Sequence, residues 1–215
     1  MNKIEAIIFD MEGVVVDTEP LWDEVAKIFL SRRNFIYDRA TLKPLMMGRT
    51  MEEGIKIWQE HYDFKGDIKQ QAEERRQIVR KVFASGSSFV DGFIDFFNSI
   101  KDNYKTAIAT SSEREFLKLF NERLNLNGLF GNHIYSIADI GHISKPNPDI
   151  YLQAAKNLGV PPTLCVGIED APNGIEALRR AGMKSVAITT STTKENLSSA
   201  DLIVDSFSEI DLTRL

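Results

Sequence analysis

From Tyr104 onward, short apolar runs of strand length alternate with longer stretches whose apolar residues recur at helical spacing, as in consecutive βαβ units. The runs are Thr106 to Ala109, Ile134 to Ile137, Leu164 to Val166, Ser185 to Ile188 and Asp201 to Val204, and Ile4 to Phe9 near the start of the chain adds another. Together they predict an α/β fold built on a doubly wound, mostly parallel sheet. The helices between them carry boundary signals. Pro172 opens one near its first turn and Gly182 ends it, while Pro148 and Gly159 bracket another.

Residues 18–88 read differently. They contain no convincing strand and show charged, amphipathic helix pattern over Leu21 to Leu30, Glu52 to Gln59 and Ile68 to Phe83. This predicts a helical insertion (18–88) between the first strand and the rest of the sheet, so that residues 1–17 and 89–215 form one core. Val14 to Thr18 is the expected entrance and Ala84-Ser85-Gly86-Ser87-Ser88 the expected exit hinge. The alternative is that these helices simply pack on one face of the sheet.

Composition changes the picture by exclusion. With 215 residues and a formal charge of −5, the chain can bury a substantial core but has no general attraction for nucleic acid or an anionic membrane surface. Any phosphate recognition must therefore be local. Cys165 is the single cysteine, set in an apolar run, which rules out an intramolecular disulfide and reads as a small buried hydrophobe in a reducing compartment. No signal-peptide pattern and no apolar run of roughly 20 residues is present. The expectation is a cytoplasmic monomer acting on a small phosphorylated metabolite, with no nucleic-acid or membrane partner.

Candidate chemistry lies at the strand ends. Ile7-Ile8-Phe9-Asp10-Met11-Glu12-Gly13 places an aspartate after an apolar strand, a second carboxylate two residues later, and then a glycine that lets the chain turn away without a side chain. An aspartate so placed is held rigidly, can attack phosphorus and can bind a divalent cation. In an open parallel sheet, ligands bind outside the carboxyl ends of the strands, so polar residues after successive strands should meet in space. Those residues are Asp10 and Glu12, Thr110-Ser111-Ser112, Lys145, and Glu169-Asp170. Thr110 and the following amides can bind phosphate oxygens, Lys145 can offset charge in the transition state, and Asp170 can complete a cation site with Asp10. Taken singly, each has a structural alternative as a helix cap, a turn or a solvated lysine. By contrast His61, His133 and His142 have no metal-ligand spacing, and no Walker loop or dinucleotide fingerprint occurs.

The motifs Phe9-Asp10-Met11-Glu12-Gly13-Val14, Ile108-Ala109-Thr110-Ser111-Ser112, Lys145-Pro146-Asn147-Pro148-Asp149-Ile150-Tyr151 and Gly167-Ile168-Glu169-Asp170-Ala171-Pro172-Asn173-Gly174 resemble, in order and across nearly the whole chain, the haloacid dehalogenase superfamily. The resemblance is to its magnesium-dependent phosphatases and sugar phosphomutases with a Rossmann-like core and a small helical cap. It implies Asp10 as a nucleophile forming an aspartyl-phosphate, Thr110 and Lys145 as phosphate binders, and Ser111, Ser112 and Asn173 beside the substrate. It further implies Mg²⁺ held by Asp10, the backbone carbonyl of Glu12 and Asp170, with Glu169 nearby.

Position 12 departs from the family, which usually has an aspartate there as general acid and base. The Glu12 carboxyl is extended by one bond of roughly 1.5 Å, and misplacement by about 1 Å can cost about a hundredfold in rate. A working, a slowed or an impaired phosphatase all follow, and impairment would leave a phosphometabolite-binding protein. The position where mutase relatives carry a cap histidine is Trp22, and an indole cannot shuttle a proton, so hydrolysis is favoured over mutase chemistry. Arg49 could bind a second anionic group, as mutases require, or face solvent. Trp22 could stack on substrate or belong to a core. Glu12 argues against phosphonate cleavage, and the Glu169-Asp170 pair against dehalogenation. A sugar phosphate fits a closed, cap-covered site, with Trp22, Arg49 and the neighbours of Met46 and Met47 as the selecting positions.

Overall fold

The computed structural model describes residues 3–46 and 49–215, so Met47 and Gly48, beside the expected selecting residue Arg49, lie outside the described residues. Cα packing divides the chain into two compact units, one running up to Asp17 and resuming at Ser88–Leu215, the other Thr18–Ser87.

The strands are β1 (Ala6–Phe9), β2 (Val16–Asp17), β3 (Ser88–Phe89), β4 (Lys105–Thr110), β5 (Ile134–Ser136), β6 (Cys165–Glu169), β7 (Lys184–Ile188) and β8 (Leu202–Val204). Six of them form a sheet of order β5-β4-β1-β6-β7-β8, parallel at every pairing. The chain leaves β1, builds outward on one side through β4 and β5, and returns to build outward on the other through β6 to β8. That reversal puts the switch point of the sheet at β1, where an α/β sheet opens its ligand crevice. β1 is buried along its whole length, as a central parallel strand should be.

Alternate β1 side chains feed two cores. Phe9 packs edge-on against Phe93 of α5 (Phe93–Ile100) and against Phe130 of α7 (Leu126–Phe130), with ring centroids 5.6 and 5.8 Å away. Ala6 and Ile8 point the other way, into a cluster with Tyr151, Ala154 and Ala155 of α8 (Asp149–Leu158) and Leu178 of α9 (Pro172–Ala181). Pro172 opens α9, and Gly182 and Gly159 cap α9 and α8 in the left-handed conformation, as their sequence positions predict.

Strand edges differ slightly from expectation. Ile137 leaves β5 for a 3₁₀ turn, because the Ser136 hydroxyl accepts from the Ala138 N–H and the Asp139 carboxylate accepts from the Ser136 N–H. Leu164 closes a 3₁₀ turn, and β6 starts one residue later.

The second unit consists of α1 (Glu19–Ser31), α2 (Arg39–Met46), α3 (Met51–Tyr62) and α4 (Ile68–Gly86). Sequence periodicity misses α2, because only Leu42 of that helix is buried and Pro44 lies inside it. A capping box, Thr50 with Glu53, starts α3. The expected exit hinge is mostly helix: α4 continues through Ala84, Ser85 and Gly86, with the Ser85 hydroxyl donating to the Lys81 carbonyl at 3.0 Å. That back-bond satisfies the hydroxyl within the helix, so the small polar residues are accommodated in its last turn. Where the first unit's chain leaves and returns, β2 and β3 form a short antiparallel pair. Among the described residues no helix is long and apolar enough to cross a membrane.

Candidate active site

Asp10 follows β1 directly, and its N–H donates to the Ile168 carbonyl at 2.9 Å, so the backbone is still tied to β6 where the side chain begins. Parallel register sets Phe9 opposite Ile108 on one side and Ile168 on the other. The residues that follow, Asp10, Ala109-Thr110 and Glu169-Asp170, therefore arrive at one edge of the sheet together.

Lys145, in the loop before α8, completes the cluster. Its ammonium donates to Asp10 Oδ1, to Glu169 Oε1 at 2.7 Å and to the Ala109 carbonyl at 3.2 Å, which uses all three of its protons. Asp10, Lys145, Glu169 and Asp170 are each buried. Glu169 is held from both sides. Oε1 also accepts from the Tyr151 hydroxyl at 2.7 Å, and Oε2 accepts from the N–H groups of Asp170 and Ala171 at 3.0 and 3.2 Å. The Tyr151 ring lies under the ammonium, with Nζ 4.7 Å from its centroid.

Three buried carboxylates thus surround one ammonium. Burial pushes the Asp10 carboxyl up to about 7; Lys145 opposes this, and Glu169 and Glu12 add to it. Asp170 is raised well above the usual carboxylate range, by burial first and then by Glu169 and Asp10. Burial alone would lower the Lys145 ammonium, but Asp10 and Glu169 outweigh it and hold Lys145 above its usual value.

Such an excess of buried negative charge suits a hard divalent cation. One oxygen each from Asp10, Glu169 and Asp170 lies within 4.8 Å of the others. Glu169 is committed to its hydrogen bonds. Asp10 gives one oxygen to Lys145 and Asp170 gives Oδ2 to the Ser191 hydroxyl, and among the described residues the second oxygen of each aspartate carries no hydrogen bond. Gly13 makes the room. Its φ is +77°, and a Cβ there would overlap the Asp170 carboxylate.

The remaining expected residues divide. Glu12 is half-buried, and its Oε1 accepts from the Ser112 hydroxyl. Thr110 is buried, its hydroxyl oxygen accepting from the Ser112 N–H at 3.0 Å, whereas Ser111 is exposed. Asn173 is exposed in the first turn of α9 and its Oδ1 accepts from the Gly174 N–H at 3.0 Å, so its acceptor serves its own helix. Trp22 and Arg49 belong to the helical unit. Trp22 is half-buried and packs edge-on against Phe83 at 4.9 Å, and the Arg49 side chain is exposed. Sequence reasoning missed Tyr151, Thr190 and Ser191. The Thr190 hydroxyl donates to the Gly13 carbonyl at 2.5 Å. Thr190 and Ser191 follow β7, so the same strand-end rule extended by one strand would have found them.

A family model for haloacid dehalogenase-like hydrolases matches residues 4–182. A phosphorylated carbohydrates phosphatase of Thermotoga maritima is 31% identical over 185 residues, covering 85% of this chain and 84% of that protein. Hexitol phosphatase B of Escherichia coli (strain K12) is 26% identical, covering 87% of this chain and 84% of that protein. Among solved structures, a haloacid dehalogenase family hydrolase of Deinococcus radiodurans with bound phosphate and sodium superimposes with a TM-score of 0.83 at 26% identity, covering 96% of this chain and 93% of that one.

Proposed function

The chain belongs to the haloacid dehalogenase-like hydrolases, and from that premise we propose a Mg²⁺-dependent phosphatase that hydrolyses a small sugar or sugar-alcohol phosphate through an aspartyl-phosphate. The observation that carries the reading is the buried Lys145 ammonium bridging Asp10 and Glu169 at the switch point of the sheet, with Asp170 beside them. The substrate class follows the names of the Thermotoga maritima and Escherichia coli relatives. The helical unit serves as the cap.

A carboxylate oxygen of Asp10 attacks phosphorus, and the bond to the sugar oxygen breaks as the aspartyl-phosphate forms. Glu12 donates its proton to the departing oxygen. It then takes a proton from water, which attacks the same phosphorus, frees phosphate and restores Asp10. Lys145 holds Asp10 in position and meets the negative charge that develops on the phosphoryl oxygens, while Thr110 and the amides after it bind those oxygens. Glu169 keeps Lys145 in place. Asp10, Asp170 and the backbone carbonyl of Glu12 would hold Mg²⁺, which when bound neutralises phosphoryl charge and keeps both aspartates ionised.

Steady-state phosphate release from a panel of sugar phosphates tests this, with the parent chain, Asp10→Asn and Glu12→Asp run side by side. Mg²⁺-dependent release by the parent that disappears in Asp10→Asn is expected. An inert parent beside an active Glu12→Asp would make this chain a binding form of the same site.

A further inference from the structure

Five hydroxyl residues in a row follow β7, and the first three are each tied to a different part of the first unit. The Thr189 N–H donates to the Val204 carbonyl at 3.1 Å and its hydroxyl to Asp205 Oδ1 at 2.8 Å, which fastens the segment to the end of β8. The Thr190 hydroxyl donates to the Gly13 carbonyl at 2.5 Å, and the Ser191 hydroxyl donates to Asp170 Oδ2. One short segment therefore grips both the glycine turn beyond Asp10 and the second aspartate of the cation site. The phosphatase chemistry above uses none of these hydroxyls.

Asp170 Oδ2 is enclosed as well as bonded. A Cβ on Gly13 would come 1.9 Å from that oxygen and 2.7 Å from Ser191 Oγ, so the Gly13 backbone and the Ser191 hydroxyl crowd it together. A carboxylate can offer a cation one oxygen or both. Mg²⁺ is small and demands near-octahedral geometry from single oxygens at about 2.0–2.1 Å, whereas the larger Ca²⁺ takes about 6–8 oxygens and accepts both oxygens of one carboxylate. For Asp170 to offer both, Oδ2 would have to give up the Ser191 hydroxyl. Hydrogen bonds to a ligating carboxylate also orient it, and losing one weakens metal binding by about 10–100-fold.

We propose that Ser191 is a positioning residue that selects the cation: by engaging Oδ2 it makes Asp170 a one-oxygen ligand and so favours Mg²⁺ over Ca²⁺. Thr189 and Thr190 hold the segment that carries it. The inference rests on the Mg²⁺ reading proposed above and adds to it the residue that sets the discrimination.

The full chain, freed of metal with EDTA and dialysed, is titrated at pH 8 with MgCl₂ or CaCl₂ at constant ionic strength, and the rise in Tm with concentration gives an apparent Kd for each ion. In Ser191→Ala the Mg²⁺ Kd is expected to rise about tenfold or more, while the Ca²⁺ Kd rises far less or falls. Ser191→Thr keeps a hydroxyl and should return the ratio of the two constants toward the parental value. Thr192→Ala removes a hydroxyl of the same loop that accepts from the Asn196 amide at 2.8 Å, and should leave the ratio unchanged. Circular dichroism checks that each variant is folded, and Ser191→Gly takes the place of Ser191→Ala should that one not fold. A parent without a saturable Mg²⁺ response overturns the Mg²⁺ reading and this inference together. A responsive parent beside an unchanged ratio in Ser191→Ala, or an equal change in Thr192→Ala, overturns the role of Ser191 alone.

Discussion

The Ser112 hydroxyl donates to Glu12 Oε1, joining two residues 100 positions apart in the chain. A glutamate at position 12 carries its carboxyl one carbon further out than an aspartate would, and Ser112, just past the end of β4, fixes where that longer arm ends. If Glu12 is the proton donor and acceptor, Glu12→Gln should lower kcat by about 10²–10⁴-fold. Ser112→Ala removes the anchor and keeps the acid, so a smaller loss, about tenfold in kcat with KM nearly unchanged, is expected. Phosphate-release kinetics on both variants check this, and an undiminished kcat in Ser112→Ala would show that Glu12 needs no such anchor.

Lys145 is the only cation among the described residues bonded to Asp10 and Glu169. Its removal leaves buried carboxylates unpaired, so Lys145→Ala should cost about 3–5 kcal/mol of stability at pH 8 in EDTA. Without the ammonium, the folded-state carboxyls hold their protons more tightly. The penalty should therefore shrink as pH falls and they protonate in place. Urea unfolding of parent and variant at pH 8 and about pH 5.5 measures both; a pH-independent penalty would mean that the loss is one of packing.

Most of this arrangement was legible because each residue ends a recognisable apolar run. Asp10 follows β1, Thr110 and Glu169 end β4 and β6, and parallel pairing brings them together; Lys145, expected at a strand end, lies instead in the loop before α8, beyond the 3₁₀ turn that follows β5. Tyr151 was not legible as a site residue. It reads as one apolar position of α8, and only the packing of that helix under the sheet brings its hydroxyl to Glu169. Arg75 of α4 was legible in part: three residues after Ala72 and three before Ile78, it falls on the buried stripe of the helix, although its charge makes it look like its neighbours Glu74 and Arg76.

Tyr151 supports a separable prediction. Tyr151→Phe keeps the ring under Lys145 and removes one of the two hydrogen bonds to Glu169 Oε1. A buried acceptor losing a donor costs about 1–3 kcal/mol. Lys145 positioning should loosen with it, giving a several-fold lower kcat without loss of fold. Thermal unfolding and kinetics on the same preparation test the coupling, and a destabilised variant with parental kcat would confine Tyr151 to packing.

The acidic cluster ties metal binding to pH. Asp10 is raised to about 7 and Asp170 is raised well above its usual value, chiefly by burial. A carboxyl raised in the folded state contributes stability that is complete below its unfolded pKa of about 4 and is lost as pH climbs through its folded value. Metal-free protein should thus lose stability at this site between about pH 4 and pH 7. Mg²⁺ binds the ionised pair, so its stabilisation should be large at pH 8 and small at pH 5.5, where protons compete. At a hundredfold excess over Kd the gain is about 2.7 kcal/mol, roughly 5–10 °C in Tm for a chain of this size. Thermal melts with Mg²⁺ and with EDTA at the two pH values, repeated on Asp170→Asn, supply the comparison. A shift equal at both pH values, or one that persists in Asp170→Asn, would place the cation elsewhere than between these two aspartates.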